Sequence, residues 1–268
     1  MLKNLRLTDV AGWLPITVLT FFFAYYFLGV FDGYKIIYSI LLVVLYLAYA
    51  MCINNYFDWK NDARNPVKIK KNPISSGRIT RSEALLESLI LLLGGVLIAS
   101  VFLPAVLPLY GLMMANAFLY SYRFKSMPVI DLLSHGIFIT TLFVLPALVE
   151  NFSAPLLVAG TLLAFFVSTV GQLENEINDY PADRKAHVNS TAVFFGTKIA
   201  RAAYYASNAL CLLSLAALFY VLDDFRFLIF IPLVLLSAAR LDSHFVRKYF
   251  EKMFLLYVTL ALIAIIVL

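Results

Sequence analysis

Apolar residues in this chain run in blocks too long for the interior of a water-soluble domain. Nine such blocks can be read, at residues 13–31, 36–56, 84–103, 106–122, 129–149, 154–176, 199–221, 225–240 and 250–268. A helix needs about 20 residues to cross the hydrocarbon of a bilayer, where every backbone polar group must bond within its own segment. Each block is therefore read as a spanning helix. A transmembrane barrel would show short alternating segments instead. Composition agrees, with 62% hydrophobic and 14% charged residues, whereas soluble domains carry about 25% charged. Disorder is excluded by the same greasiness, and a disulfide scaffold by the presence of only two cysteines, Cys52 and Cys211. Both cysteines lie in apolar blocks and read as small buried hydrophobes. The stretch from Met1 to Asp9, ahead of the first block, is too short for a cleavable signal. The expected fold is all-α: a polytopic membrane protein of nine transmembrane helices, residues 1–268 forming a single domain.

The loops support that count. With the N-terminus placed inside, nineteen of the 21 Lys and Arg fall on the cytoplasmic side. Lys3 and Arg6 precede the first span. Lys60, Arg64, Lys68, Lys70, Lys71, Arg78 and Arg81 follow the second, and Arg123 and Lys125 follow the fourth. Arg184, Lys185, Lys198 and Arg201 follow the sixth, and Arg240, Arg247, Lys248 and Lys252 follow the eighth. Only Lys35 and Arg226 fall outside. Positive charge gathers on cytoplasmic loops, so the N-terminus is expected in the cytoplasm and the C-terminus outside. The net charge of +5 follows from this bias. Basic residues pressed against membrane spans suit lipid head groups, so no nucleic acid partner is expected.

Two acidic clusters stand at the ends of two spans. The second span runs into Asn54, Asp58 and Asp62, spaced i, i+4, i+8. On a helix these share a stripe about 80° wide that climbs about 12 Å. Carboxylates one turn apart repel, so a structural helix gains nothing from the arrangement. A hard cation such as Mg²⁺ does, because it takes carboxylate and carbonyl oxygens and keeps water or phosphate oxygens besides. The sixth span repeats the spacing with Asn175, Asp179 and Asp183, and adds Glu174 and Glu176. Pro181 works against helix at Tyr180, which leaves Asp183 on a turn or on the stripe. Asn175, Glu176 and Asp179 are the safer helical ligands. The clusters lie four spans apart and therefore on the same, cytoplasmic side. That suggests a parallel repeat of spans 1–4 and 5–8. Facing acidic clusters would repel until two Mg²⁺ and a polyphosphate joined them.

Basic and aromatic groups fall on the same side. The longest loop carries Lys68 and the segment from Asn72 to Arg78, rich in turn residues, and reads as a cover over phosphates. After the fourth span come Tyr120, Tyr122, Arg123 and Lys125, whose cations suit a diphosphate. His187 reads as a loop residue, and His135 and His244 belong to no constellation.

At these residues the chain resembles the UbiA superfamily of intramembrane prenyltransferases. Asn54, Asp58 and Asp62 match the family's N-D-x-x-D-x-x-x-D, with Asn55 where many members have Asp. Asn72 to Ile79 is similar to the family's N-R-P-L-P-S-G-R-I loop, without its Arg and with Ser75 for the second Pro. Tyr120 to Lys125 is similar to its Tyr–Lys motif. Glu176, Asp179 and Asp183, followed by Asn189 to Gly196, resemble its second acidic motif and Thr…Gly tail. Arg6 matches a basic residue before the first span. The resemblance implies nine helices around a cavity and a prenyl diphosphate gripped through Mg²⁺. Its ionisation yields an allylic cation, which an aromatic or lipid acceptor attacks while pyrophosphate leaves. On that reading Asn54, Asp58, Asp62, Asn175, Asp179 and Asp183 are metal ligands, directly or through water. The four aspartates are the catalytic set. Arg6, Lys68, Arg123 and Lys125, with Tyr120 and Tyr122, face the diphosphate.

Two other classes compete. Phospholipid-type alcohol phosphatidyltransferases also space Asp residues by four, but need one compact stretch. Here Asp62-Ala63-Arg64 supplies a fragment, and the second cluster lies over a hundred residues away. A membrane transporter for an ion or small anion could use inward-facing acids. Transporters favour broken helices and sites near the midplane, whereas these acids stand at span ends.

Overall fold

The computed structural model describes residues 16–22, 24–25, 28–29, 32–64, 68–185, 188–243, 245–246 and 248–249. Every regular element among them is helical. Seven helices organise the chain: α1 (Gly33–Asp62), α2 (Arg81–Phe102), α3 (Leu107–Tyr122), α4 (Ile130–Val149), α5 (Ala154–Lys185), α6 (Thr197–Leu222) and α7 (Ile231–Arg240). Single turns stand at Lys68–Lys71 and Thr191–Phe195. Residues 16–22 are helical too.

Local chemistry sets the boundaries. The Asp32 carboxylate accepts from the N–H of Tyr34 and Lys35 and so starts α1. Thr80 and Glu83 form a reciprocal capping box at the head of α2. α2 stops at Leu103, before Pro104, and α3 and α7 each open with proline in the first turn. α6 ends on Asp223 in the left-handed region. Two helices outrun their apolar blocks. α1 continues to Asp62 and α5 to Lys185, so both acidic motifs ride on the polar ends of spanning helices. Residues 225–230 form a 3-10 segment rather than the start of the eighth block's helix.

Five helices among the described residues are long and apolar enough to cross a membrane: α1, α2, α4, α6 and the Ala154–Pro181 part of α5. α2 shows what they face. Leu86, Leu93, Leu97 and Val101 are all more than half exposed along one stripe, a pattern that water would penalise and lipid accepts. The expected first span is described only in part, and the ninth lies outside the described residues, as do Arg6, His187 and His244.

The chain divides into two compact units, residues 1–126 with 137–152, and residues 127–136 with 153–268. The first is built on Leu42, Tyr46 and Leu47 of α1, Tyr110 and Met113 of α3, and Leu142 and Leu145 of α4. Gly95 of α2 lets the Tyr110 ring lie against the helix backbone, where a Cβ would collide with its hydroxyl. That hydroxyl donates to the Leu42 carbonyl at 3.3 Å. The second unit packs Leu173 and Ile177 of α5 against Ala200, Tyr204 and Cys211 of α6. Both cysteines are buried thiols, as expected. His135 sits against Ser168 Oγ at 2.9 Å.

Candidate functional site

The first unit carries the first acidic motif on the last two turns of α1. Asn54, Asp58 and Asp62 share a half-buried stripe, whereas Asn55 is buried beside it. Each carboxylate has a different partner. Asp58 forms an ion pair with Lys125. Lys125 reaches it because α3 docks its end on α1: Phe57, next to Asp58, packs with ring centroids 5.5 Å from both Phe118 and Tyr122. A 3-10 turn over Phe124–Ser126 then brings the lysine inward. Asp62 accepts a hydrogen bond from Asn72 Nδ2 at 2.9 Å.

The loop after α1 is folded onto this stripe. Ser75 Oγ donates to the Trp59 carbonyl at 2.7 Å. Gly77 turns the chain at φ +71°, which suits glycine. The N–H groups of Arg78 and Ile79 then close on the Pro73 carbonyl at 2.9 and 3.3 Å. Arg78 donates to Ser76 Oγ and to the carbonyls of Lys70 and Lys71. Arg81 lies over the rings of Tyr56 and Trp59, 4.7 and 5.5 Å from their centroids. Lys68, Tyr122 and Arg123 are exposed, and Tyr120 is half-buried.

The second unit carries the second motif, and here α5 splits its acids between two faces. Asn175 and Asp179 are exposed and Asp183 is half-buried, while Glu174 and Glu176 are buried with Leu173 and Ile177. Glu174 pairs with Arg240 of α7 at 2.9 Å. Glu176 accepts from the Ala192 N–H at 3.0 Å and from Gln172 at 3.2 Å. Its carboxylate is thus held by protein donors, and the residue is buried, unlike Asp179 and Asp183 on the same helix. The expectation about Pro181 is settled in favour of helix. α5 runs through it to Lys185, so Asp183 is helical. Proline removes one donor, that facing the Ile177 carbonyl, and one lost bond near a helix end does not stop the helix.

A further anchor was not legible in the spacing. Asp131, at the start of α4, is buried and accepts from the Thr191 hydroxyl at 2.6 Å and the Thr191 N–H at 3.2 Å. The same hydroxyl accepts the Val129 N–H at 2.7 Å. Val129 stands at φ +69°, a strained conformation for a β-branched residue. Asp131 and Glu176 thus grip Thr191 and Ala192, the first residues of the turn that follows the motif.

The donor set suits Mg²⁺. Each motif offers an amide oxygen and two carboxylates, all hard oxygens, and no group of three His, Cys, Asp or Glu able to hold an ion by itself occurs among the described residues. Mg²⁺ is held in this fashion, by one or two carboxylates with phosphate and water completing the shell.

These features define a helical membrane protein with an oxygen-rich stripe at the end of one spanning helix in each unit. The model of the UbiA prenyltransferase family matches residues 14–266, and the chain belongs to that family. It is 28% identical over 174 residues to the digeranylgeranylglyceryl phosphate synthase of Methanobrevibacter smithii, a match covering 60% of this chain and 59% of the relative's length. Among solved structures, a UbiA homologue from Archaeoglobus fulgidus bound to GPP and Mg²⁺ superposes with a TM-score of 0.77 at 20% identity, over 100% of this chain and 99% of its own. The apo structure of a UbiA homologue from Aeropyrum pernix K1 gives 0.77 at 19% identity over 98% of each chain. The fold is therefore the UbiA fold, and the chain is an integral membrane protein.

Proposed function

We propose that this chain is a Mg²⁺-dependent intramembrane prenyltransferase. It moves a prenyl group from an isoprenyl diphosphate to an aromatic or lipid acceptor and releases pyrophosphate. The observation that carries the reading is the pair of Asn-x3-Asp-x3-Asp stripes at the polar ends of α1 and α5, the first with Lys125 on Asp58 and a folded loop on Asp62. The GPP and Mg²⁺ held by the Archaeoglobus homologue support the donor and the metal.

Asn54, Asp58, Asp62, Asn175, Asp179 and Asp183 hold the metal, two ions in the proposed complex. When bound, Mg²⁺ supplies positive charge against the leaving diphosphate. The chain's own groups do the rest. Lys125 turns from Asp58 to the diphosphate, and Arg6, Lys68 and Arg123, with Tyr120 and Tyr122, complete its contacts. The prenyl tail stays among apolar helices, where the allylic cation is kept from water. The C1–O bond of the donor breaks with its electron pair leaving on the diphosphate. A nucleophilic atom of the acceptor then bonds to C1 and loses its proton. On this reading the N-terminus lies in the cytoplasm, supported by the split of Lys and Arg between loops.

The Methanobrevibacter relative, by its name, makes a glyceryl phosphate bearing geranylgeranyl groups. A singly prenylated glyceryl phosphate is therefore the first acceptor to try, followed by hydroxylated aromatic acids. The test is Mg²⁺-dependent pyrophosphate release with geranylgeranyl diphosphate and each acceptor. Release coupled to a prenylated product supports the reading. No release with any donor length, together with ion flux in vesicles, would move the assignment to a transporter.

A further inference from the structure

Asn72 stands between the loop and the first metal stripe, and none of the roles assigned so far uses it. The residue is 1% exposed. Nδ2 donates to Asp62 Oδ2 at 2.9 Å and to the Asn55 carbonyl at 3.0 Å. Oδ1 accepts from the N–H of Ile74 at 3.0 Å and of Ser75 at 3.3 Å. Both donors of the amide thus go to α1, and its acceptor goes to the loop's own turn. The amide is planar, so the direction of the bond to Asp62 is tied to the conformation of residues 72–75.

Attachment alone does not account for this arrangement. The loop has a second side-chain bond to α1, from Ser75 Oγ to the Trp59 carbonyl at 2.7 Å, and Arg81 beyond it stacks on Tyr56 and Trp59. The partner also differs in kind from that of Asp58. Lys125 brings a charge that competes with a cation, whereas a neutral amide does not. It occupies one oxygen of Asp62 and leaves Oδ1 for a metal. Hydrogen bonds of this sort to ligating carboxylates fix how the ligand is presented.

We propose that Asn72 is a positioning residue for Asp62: its amide aims the carboxylate's second oxygen at a divalent cation and makes that aim depend on the folded loop. The proposal rests on the reading of Asp62 as a metal ligand.

The test uses the full chain in detergent, with Mn²⁺ as the ion and a non-hydrolysable thiolo analogue of geranylgeranyl diphosphate present. Bound Mn²⁺ is read from the loss of the free-ion signal in electron paramagnetic resonance, without turnover. Asn72→Ala is expected to weaken Mn²⁺ binding about 10–100-fold, and Ser75→Ala, which removes only the other tether, by less than about threefold. In an Asp62→Ala background, Asn72→Ala should add nothing, as a residue acting through Asp62 must. Equal losses for the two loop variants would overturn the proposal. So would unchanged binding by Asn72→Ala, or an Asn72 effect that persists without Asp62. Thermal unfolding without metal shows whether each variant is folded. Should Asn72→Ala fail to fold, Asn72→Ser carries the same expectation, since it keeps an oxygen for the turn and is too short to reach Asp62. Absence of Mn²⁺ binding by the unaltered chain would overturn the metal reading of the stripe, and this proposal with it.

Discussion

Asp58 and Lys125 hold opposite charges in contact where the proposed donor places a third charge. Asp58→Asn keeps the side chain's shape and removes the anion. It is expected to lower turnover roughly 10²-fold or more, while the detergent-solubilised protein keeps its unfolding temperature. Normal turnover by that variant would sink the assignment of the stripe. Lys125→Met should weaken the donor's KM roughly tenfold or more, the effect of losing a charge-assisted hydrogen bond worth about 1.5–3 kcal/mol. Glu150, in the turn after α4, is a different case. It is 4% exposed, and neither carboxylate oxygen has a hydrogen bond among the described residues. Burial holds its carboxyl above the ordinary carboxylate range, the Lys35 ammonium offsets part of that, and Asp32 adds to it. A raised carboxyl binds its proton more tightly when folded. Its contribution is therefore fully present below the unfolded value near about 4.3 and is lost as pH rises through the folded one. Glu150→Gln should raise the unfolding temperature at pH 7–8 and leave it unchanged near about pH 4. A gain of equal size at both pH values would contradict the burial account.

Helix ends decide what the motifs can do, and they were only half legible in the residues. Four-residue spacing placed Asn54, Asp58 and Asp62 on one stripe because a helix repeats every 3.6 residues, and α1 does carry them so. The same rule could not separate Glu176 from Asn175 and Asp179. That separation depends on Ala192, which folding brings to Glu176, beside Gln172 one turn earlier on α5. Pro181 left the place of Asp183 open, and its local preference against helix is outweighed in α5. Asp131 gave no signal at all, being a single acid at the start of an apolar block. Its role comes from Thr191, sixty residues later. Thr191→Val keeps the volume and removes the hydroxyl that serves both Asp131 and Val129. It should cost about 1–3 kcal/mol of stability, since the buried Asp131 carboxylate and the Val129 N–H each lose a partner. An unchanged unfolding temperature would show that this anchor contributes nothing. In the first unit, Gly95→Val should disrupt the seat of Tyr110 on α2 and lower stability by about 1–3 kcal/mol.

For the molecule as a whole, the apolar blocks forecast an integral membrane protein because hydrocarbon admits so few backbone arrangements. The five helices long enough to cross agree with that. The acceptor left no comparable trace, because it is chosen by pocket shape and a few polar groups that no spacing rule encodes. The claim on which the rest depends is that the acidic stripes bind a prenyl diphosphate through a divalent metal. The most direct measurement is thermal stabilisation of the purified protein by geranylgeranyl diphosphate and its thiolo analogue, with and without Mg²⁺. The account predicts a rise in unfolding temperature that requires both ligand and metal and is absent in Asp58→Asn. A rise independent of Mg²⁺, or no rise with prenyl diphosphates of any length, would contradict it.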